Sequence, residues 1–231
     1  MKRRIVLIVS LTLLIISILV IHSNNKYNKY MFPEAKIVGD GDVVIACVGD
    51  SITYGLGVLN DRDQAWVSLL AAYGNYKTVN YGLSGRTLLE DGDLPYFEEE
   101  LAKEFFNSKE NKVLFMLGTN DSKMINWDND DFYSEYERIV NKLIKKDGKE
   151  NIYLIIPPKI FINKPSREQP NNKILLEKVK PIIEEIAYKK EVSIIDLYSF
   201  TEGHKDWFSD GLHPNKKGNK AIAKEIASYI N

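Results

Sequence analysis

The feature that most constrains the fold is a series of short runs of β-branched, aliphatic or aromatic residues, separated by longer segments with helical periodicity. Five such runs occur, at residues 43–48, 78–81, 112–117, 151–156 and 192–197. Strands of a parallel sheet are buried on both faces and are joined by helical crossovers, which produces this alternation. The sequence therefore predicts a three-layer α/β/α sandwich with about five parallel strands, in the flavodoxin-like order that right-handed crossovers favour.

Three of these runs end in polar or glycine-rich loops. Ser51 follows the first run, Gly85 the second and Asn120 the third. Because the carboxyl ends of parallel strands lie at one edge of a sheet, we expect these residues to be close together. Ser51 alone has a second interpretation, since serine is also a favoured N-cap residue of a helix.

A histidine and an aspartate near the carboxyl end complete a candidate catalytic set. Asp210 and His213 lie three residues apart in a loop segment, so one can face the other across a turn. A serine hydroxyl is a weak nucleophile until a base removes its proton, and a histidine oriented by a carboxylate suits that task. We therefore predict that Ser51 is the nucleophile, His213 the base and Asp210 the acid. The oxyanion donors would be the N–H groups of Ser51 and Gly85 and the amide of Asn120.

Each of these residues also has a purely structural interpretation. Asp210 precedes a glycine, a pair typical of turns, and Asn120 follows a strand, where turn formers are common. Gly85 would also be expected wherever the backbone needs a positive φ angle. His204 is a second candidate base, but it matches no motif. We favour the catalytic interpretation because the alternatives require several independent coincidences.

Four blocks of this sequence resemble those of the SGNH (GDSL-type) hydrolases, in the family's order. They lie at residues 49–53, 80–85, 118–121 and 210–214. The resemblance spans about residues 43–231 and implies the SGNH hydrolase fold with Ser51 as nucleophile. It implies the acid, base and oxyanion roles assigned above as well. Gly82 lies in the same block as Gly85, and we prefer Gly85 because it follows Ser84 as in the family's Ser-Gly pair.

Two longer strings, residues 80–87 and 117–123, resemble a narrower group that consists mainly of carbohydrate O-acetyl esterases, including acetylxylan and sialate types. This resemblance implies short acyl esters, above all acetyl esters, on carbohydrate. Aromatic residues in the loops that we expect near the serine also suit a sugar better than an acyl tail: Tyr54, Tyr96, Trp127 and Trp207. The alternatives are a lysophospholipase or thioesterase, a sugar O-acetyltransferase with the same triad, and a glycan-binding protein without turnover.

Composition and charge argue against several other classes of protein. The net charge is -1, so no basic surface indicates nucleic-acid binding. Cys47 is the single cysteine, which rules out an internal disulfide, and we expect it to be buried as a small hydrophobic residue. The sequence has no phosphate-binding motif, and no third ligand clusters with the Asp/His pair. We therefore expect neither a cofactor nor a metal site.

The amino-terminal segment has a different character. A basic cluster, Lys2-Arg3-Arg4, precedes an apolar run from Ile5 to Ile21, which as a helix would span roughly 26 Å, close to the hydrocarbon thickness of a bilayer. Basic flanks stay in the cytoplasm, so the remainder should lie outside. We predict a signal anchor or uncleaved signal peptide at 1–23, a tether at 24–42 and a hydrolase domain at 43–231. This places a single-pass protein in the cell membrane. Secretion after signal cleavage is the alternative.

Overall fold

The computed structural model describes residues 35–230 of the chain. Its strands are β1 (Lys36–Val38), β2 (Val43–Gly49), β3 (Tyr76–Gly82), β4 (Lys112–Met116), β5 (Ile152–Ile156) and β6 (Ser193–Asp196). Its α-helices are α1 (Ser51–Tyr54), α2 (Trp66–Leu70), α3 (Glu100–Asn107), α4 (Asn129–Asp147), α5 (Asn172–Ile174), α6 (Lys180–Lys190), α7 (Leu197–Thr201) and α8 (Lys216–Ile230). A π-helical turn, Leu175–Val179, joins α5 to α6.

The strands form one six-stranded sheet in the order β1-β3-β2-β4-β5-β6. The strands β2 to β6 are parallel to their neighbours and correspond to the five predicted strands. Counted among themselves, they follow the order 2-1-3-4-5 of flavodoxin-like sheets. The predicted parallel sheet and its strand order are therefore confirmed.

The strand β1 was not expected from the sequence. It pairs with β3 in the antiparallel direction, with Ile37 opposite Val79, which makes the sheet mixed and raises the number of strands from about five to six. It lies within residues 24–42, for which a tether is predicted, and residues 36–38 form a strand instead. The strand is only three residues long and is followed by Gly39-Asp40-Gly41, so its sequence is typical of a loop.

Two hydrophobic cores lie on the two faces of the sheet. Along β2, Ala46 and Val48 face the core covered by α3, α4 and α6, while Ile45 and Cys47 face the core covered by α2 and α8. This arrangement is the predicted three-layer sandwich. Burial of Cys47 raises the pKa of its thiol, in keeping with the predicted role as a small hydrophobic residue.

The register of the sheet brings three strand ends level with one another. Gly49, the last residue of β2, is paired with Gly82 of β3 on one side and with Met116 of β4 on the other. The loops that follow these strands therefore leave the sheet side by side. They carry Ser51, Gly85 and Asn120.

The predicted membrane segment, Ile5 to Ile21, lies outside the described residues, as does most of the predicted tether. Within residues 35–230, no helix combines the length and the apolar character that a membrane crossing requires.

Candidate active site

Ser51 lies at the junction between β2 and α1. Gly49 allows the chain to turn there, because a Cβ at this position would lie 2.3 Å from Thr53 Oγ1 and 2.6 Å from the carbonyl oxygen of Met116. The helix is capped by Asp50, whose Oδ1 accepts a hydrogen bond from the N–H of Ile52 at 2.9 Å. Ser51 is the first helical residue, so the interpretation of Ser51 as the N-cap is wrong and its hydroxyl remains available for other contacts.

The predicted base and acid both lie beside Ser51. Its Oγ is 2.9 Å from His213 Nε2, and His213 Nδ1 is 2.6 Å from Asp210 Oδ2. Because a carboxylate can only accept, the proton of the neutral imidazole sits on Nδ1, and Nε2 is free to accept from the serine hydroxyl. The second candidate base, His204, instead stacks flat against Trp207, with ring centroids 3.8 Å apart.

Asp210 holds the backbone of the histidine as well as its ring. Its Oδ1 accepts hydrogen bonds from the N–H groups of Leu212 at 2.9 Å and His213 at 2.7 Å. Burial opposes ionisation of Asp210, but the hydrogen bonds from His213 and Leu212 outweigh it and lower the pKa of the carboxyl group. Asp210 therefore forms the turn through Oδ1 and contacts the imidazole through Oδ2.

The two oxyanion candidates also lie at this edge of the sheet. Gly85 has a φ of 81°, and its N–H donates to no group within residues 35–230. The N–H of Gly82, by contrast, donates to Asn80 Oδ1 at 2.8 Å, which leaves Gly85 as the available donor of this block. Asn120 is almost fully buried, and its Nδ2 donates to the carbonyl oxygen of Arg86 at 3.1 Å. The same Nδ2 lies 3.5 Å from Asp50 Oδ2, at the outer limit of a hydrogen bond, so the amide is anchored mainly by Arg86.

An ion pair between a buried arginine and a partly buried glutamate supports the loop of Gly85 and could not be predicted from the sequence. Arg86 is 1% exposed, and its Nη2 lies 2.6 Å from Glu99 Oε1. Its Nη1 donates to the carbonyl oxygen of Ser84 at 2.8 Å, one residue before Gly85. The carbonyl oxygen of Arg86 accepts the hydrogen bond from Asn120 Nδ2, so Arg86 contacts both the loop of Gly85 and the segment of Asn120. The only sequence signal is its place directly after the Ser-Gly pair.

Asp121 makes a second link between these segments. Its Oδ1 accepts hydrogen bonds from the N–H groups of Leu88 at 2.8 Å and Leu89 at 2.9 Å. Burial raises the pKa of its carboxyl group to about 7, although these hydrogen bonds favour the charged form. The residue is therefore part of the support behind Asn120.

Most of the aromatic residues expected to line the site are part of the interior instead. Tyr54, Tyr96 and Trp207 are 1%, 0% and 8% exposed, respectively, and the hydroxyl of Tyr96 donates to the carbonyl of Tyr81 at 2.7 Å. Trp127 is the one member of the set that is partly exposed, and it packs against Phe132. The expectation of an aromatic surface from these four residues is therefore wrong for three of them.

The chain matches a known protein family over most of its length. The model of the GDSL-like lipase/acylhydrolase family matches residues 47–221, a range that runs from β2 through the Asp210–His213 loop into α8. The chain belongs to this family. The predictions of an SGNH hydrolase and of an ester-hydrolysing enzyme are confirmed at this level.

Individual relatives of this hydrolase point in the same direction. An acetylxylan esterase from Xylanibacter ruminicola is 33% identical in an alignment 210 residues long, and the match covers 80% of this chain but only 42% of that protein. The chain thus spans less than half the length of this curated relative. An aryl esterase from M. smegmatis has a similar fold, with a TM-score of 0.67 at 20% identity, covering 81% of this chain and 98% of that one. A carbohydrate acetylesterase from Sinorhizobium meliloti gives 0.63 at 20% identity, with coverage of 82% and 98%.

Proposed function

We propose that this hydrolase is a serine esterase that removes short acyl groups, above all acetyl groups, from carbohydrate. The observation that carries the proposal is the chain of hydrogen bonds from Asp210 through His213 to Ser51. Ser51 follows β2, whose last residue is paired with the last residues of β3 and β4. A protein that only bound glycans would have no need of a base aligned on a serine hydroxyl.

The reaction would proceed in two halves. Ser51 Oγ attacks the ester carbonyl while His213 Nε2 takes the hydroxyl proton, and the imidazolium is stabilised by Asp210. The imidazolium then donates this proton to the departing alcohol oxygen, leaving an acylated serine. In the second half, His213 removes a proton from water as the water oxygen attacks the acyl carbon. The imidazolium then returns this proton to Ser51 Oγ, and the free acid is released.

Negative charge develops on the carbonyl oxygen in both halves. The amide of Asn120 and the N–H of Gly85 are held in place by the contacts of Arg86 described above, so they need little reorganisation when the charge appears. The N–H of Ser51, at the first position of α1, has no partner within its own helix and is the third donor.

The substrate class is supported by the relatives and by the sequence. One curated relative is an acetylxylan esterase, and one neighbour of similar fold is a carbohydrate acetylesterase. We therefore expect an acetyl group as the acyl part and a sugar hydroxyl as the leaving group. Because Tyr54, Tyr96 and Trp207 are buried, they do not support a sugar substrate, and the assignment rests on the similarity to these esterases.

A series of p-nitrophenyl esters from acetate to decanoate, measured beside acetylated xylan, acetylated sialic acid and acetylated peptidoglycan, tests the assignment. We expect the highest kcat/KM on acetate and a steep fall beyond about four acyl carbons, because a closed acyl site opposes each added methylene. The Ser51→Ala variant supplies the background rate. A maximum at eight or more carbons with no acetate released from any glycan would instead favour a lysophospholipase. Transfer of acetyl to an added sugar in preference to water would favour an acetyltransferase.

We further propose that residues 5–21 hold the hydrolase domain at the outer face of the cell membrane. The support is the apolar run itself and the basic cluster at residues 2–4. Protease treatment of intact cells that express the full chain should release active esterase into the medium, while a cytoplasmic marker protein stays intact. Active esterase that remains protected until the cells are lysed would contradict this topology. Release into the medium without protease, with a processed amino end, would favour the secreted form.

A further inference from the structure

A half-buried leucine lies directly beside the oxyanion loop. A Cβ placed on Gly85 would lie 3.2 Å from Leu94 Cδ1, and no other atom beyond the adjoining residues of the described chain comes within 4 Å of that point. Leu94 belongs to neither of the two hydrophobic cores on the faces of the sheet. Its side chain is thus an apolar group outside both cores that packs against the backbone of a predicted oxyanion donor.

The loop that carries Leu94 is held rigidly on both sides. The carbonyl oxygen of Leu94 accepts a hydrogen bond from the N–H of Thr87 at 2.9 Å. The preceding residue, Asp93, accepts hydrogen bonds from Lys123 Nζ and from Asn126 Nδ2, both at 2.8 Å, and its own N–H donates to Asn126 Oδ1 at 3.0 Å. A side chain on so constrained a backbone has little freedom to move away from a bulky substrate.

The order of the strands in the sheet indicates which half of an ester would face Leu94. The leaving alcohol must lie towards His213, because His213 returns the proton to it. The loop of His213 is joined to the segment after β5, since the N–H of Phe161 donates to the carbonyl of Gly211 at 2.7 Å. Gly85 and Leu94 follow β3, and β3 and β5 are separated in the sheet by β2 and β4. An acyl group that extends away from His213 would therefore lie on the side of the site that carries Gly85 and Leu94.

We propose that Leu94 closes the acyl side of the site and sets the upper limit of acyl-chain length. The inference rests on the proposed esterase function and assigns its acyl selectivity to one side chain. A branched side chain against the Gly85 loop leaves room for a methyl group but collides with longer chains. Shortening it should open this space without removing any donor or proton carrier of the reaction.

The test compares kcat/KM on p-nitrophenyl acetate, butyrate, hexanoate and octanoate for the wild-type full chain and for Leu94→Ala. We expect the ratio of kcat/KM on hexanoate to that on acetate to rise roughly tenfold or more, since each methylene that finds apolar space contributes at least severalfold. Leu94→Val should shift the profile in the same direction by less, and it serves if the alanine variant unfolds. Leu176→Ala, the same substitution at a leucine that is 40% exposed on the π-helical turn, should leave the profile unchanged.

Different outcomes would overturn the role of Leu94 and the esterase function. An identical chain-length profile in wild type and in folded Leu94→Ala or Leu94→Val would overturn the role of Leu94 and leave the esterase function intact. A parallel loss on every ester, acetate included, would make Leu94 a structural residue and would equally overturn the proposed role. A wild-type protein that hydrolyses none of the esters would refute the proposed function, and the role of Leu94 with it.

Discussion

Replacing Ser51 with alanine should lower kcat on p-nitrophenyl acetate about 10⁴- to 10⁶-fold, and replacing His213 with alanine should have a similar effect. The two side chains act together through the 2.9 Å contact between Oγ and Nε2, so the double variant should be no slower than either single one. Asp210→Ala should cost no more than these, because Asp210 orients the imidazole and does not itself transfer the proton. Steady-state rates on purified full-length variants measure all four effects.

Ser228→Ala is the matched control for the serine substitution. Ser228 is exposed on α8 and its hydroxyl donates only to the carbonyl oxygen of Glu225, so this variant should keep the wild-type rate. Thermal unfolding curves should show that Ser51→Ala is as stable as the wild type. A rate close to wild type in Ser51→Ala would refute the mechanism, because a group other than Ser51 would then have to be the nucleophile.

Replacing Asn120 with alanine should lower kcat roughly 10²- to 10³-fold with little change in KM, the effect of losing one preorganised oxyanion donor. The amide is anchored by the carbonyl of Arg86, and its contribution grows as charge develops on the substrate oxygen. The measurement is the separate determination of kcat and KM on p-nitrophenyl acetate.

Asn129→Ala provides the control for this substitution, because Asn129 is exposed at the first position of α4 and its amide donates to the neighbouring Asp130. It should leave both constants unchanged. If Asn120→Ala instead raised KM and left kcat intact, Asn120 would belong to ground-state binding of the substrate rather than to the oxyanion hole.

The sheet could be predicted from the sequence because its signal is local. Each of the five parallel strands is a short apolar run, three of these runs end in polar or glycine-rich loops, and strand order follows from the handedness of the crossovers. The edge strand β1 could not be predicted in the same way. Lys36-Ile37-Val38 is too short to show an alternating pattern, and it becomes a strand only because β3 offers it a partner.

The site shows the same division between local and tertiary information. Ser51, Asp210 and His213 stand in short motifs whose chemistry is evident from residue types, and the fold brings them into contact. The ion pair of Arg86 with Glu99 joins residues that are separated in the sequence and depends on the way the loop packs. The burial of Tyr54 and Tyr96 likewise depends on packing, so loop position alone led to the wrong expectation of an exposed aromatic surface.

The central claim is that Ser51 is activated by His213, and covalent labelling tests it most directly. A fluorophosphonate reacts with a serine only when its hydroxyl is activated as a nucleophile. The full-length wild-type protein should be labelled once, at Ser51, as mapped by mass spectrometry of the proteolytic peptides, and both Ser51→Ala and His213→Ala should lose the label while Ser228→Ala keeps it. A folded wild-type protein that takes up no label, or that takes it up on another residue, would contradict the account.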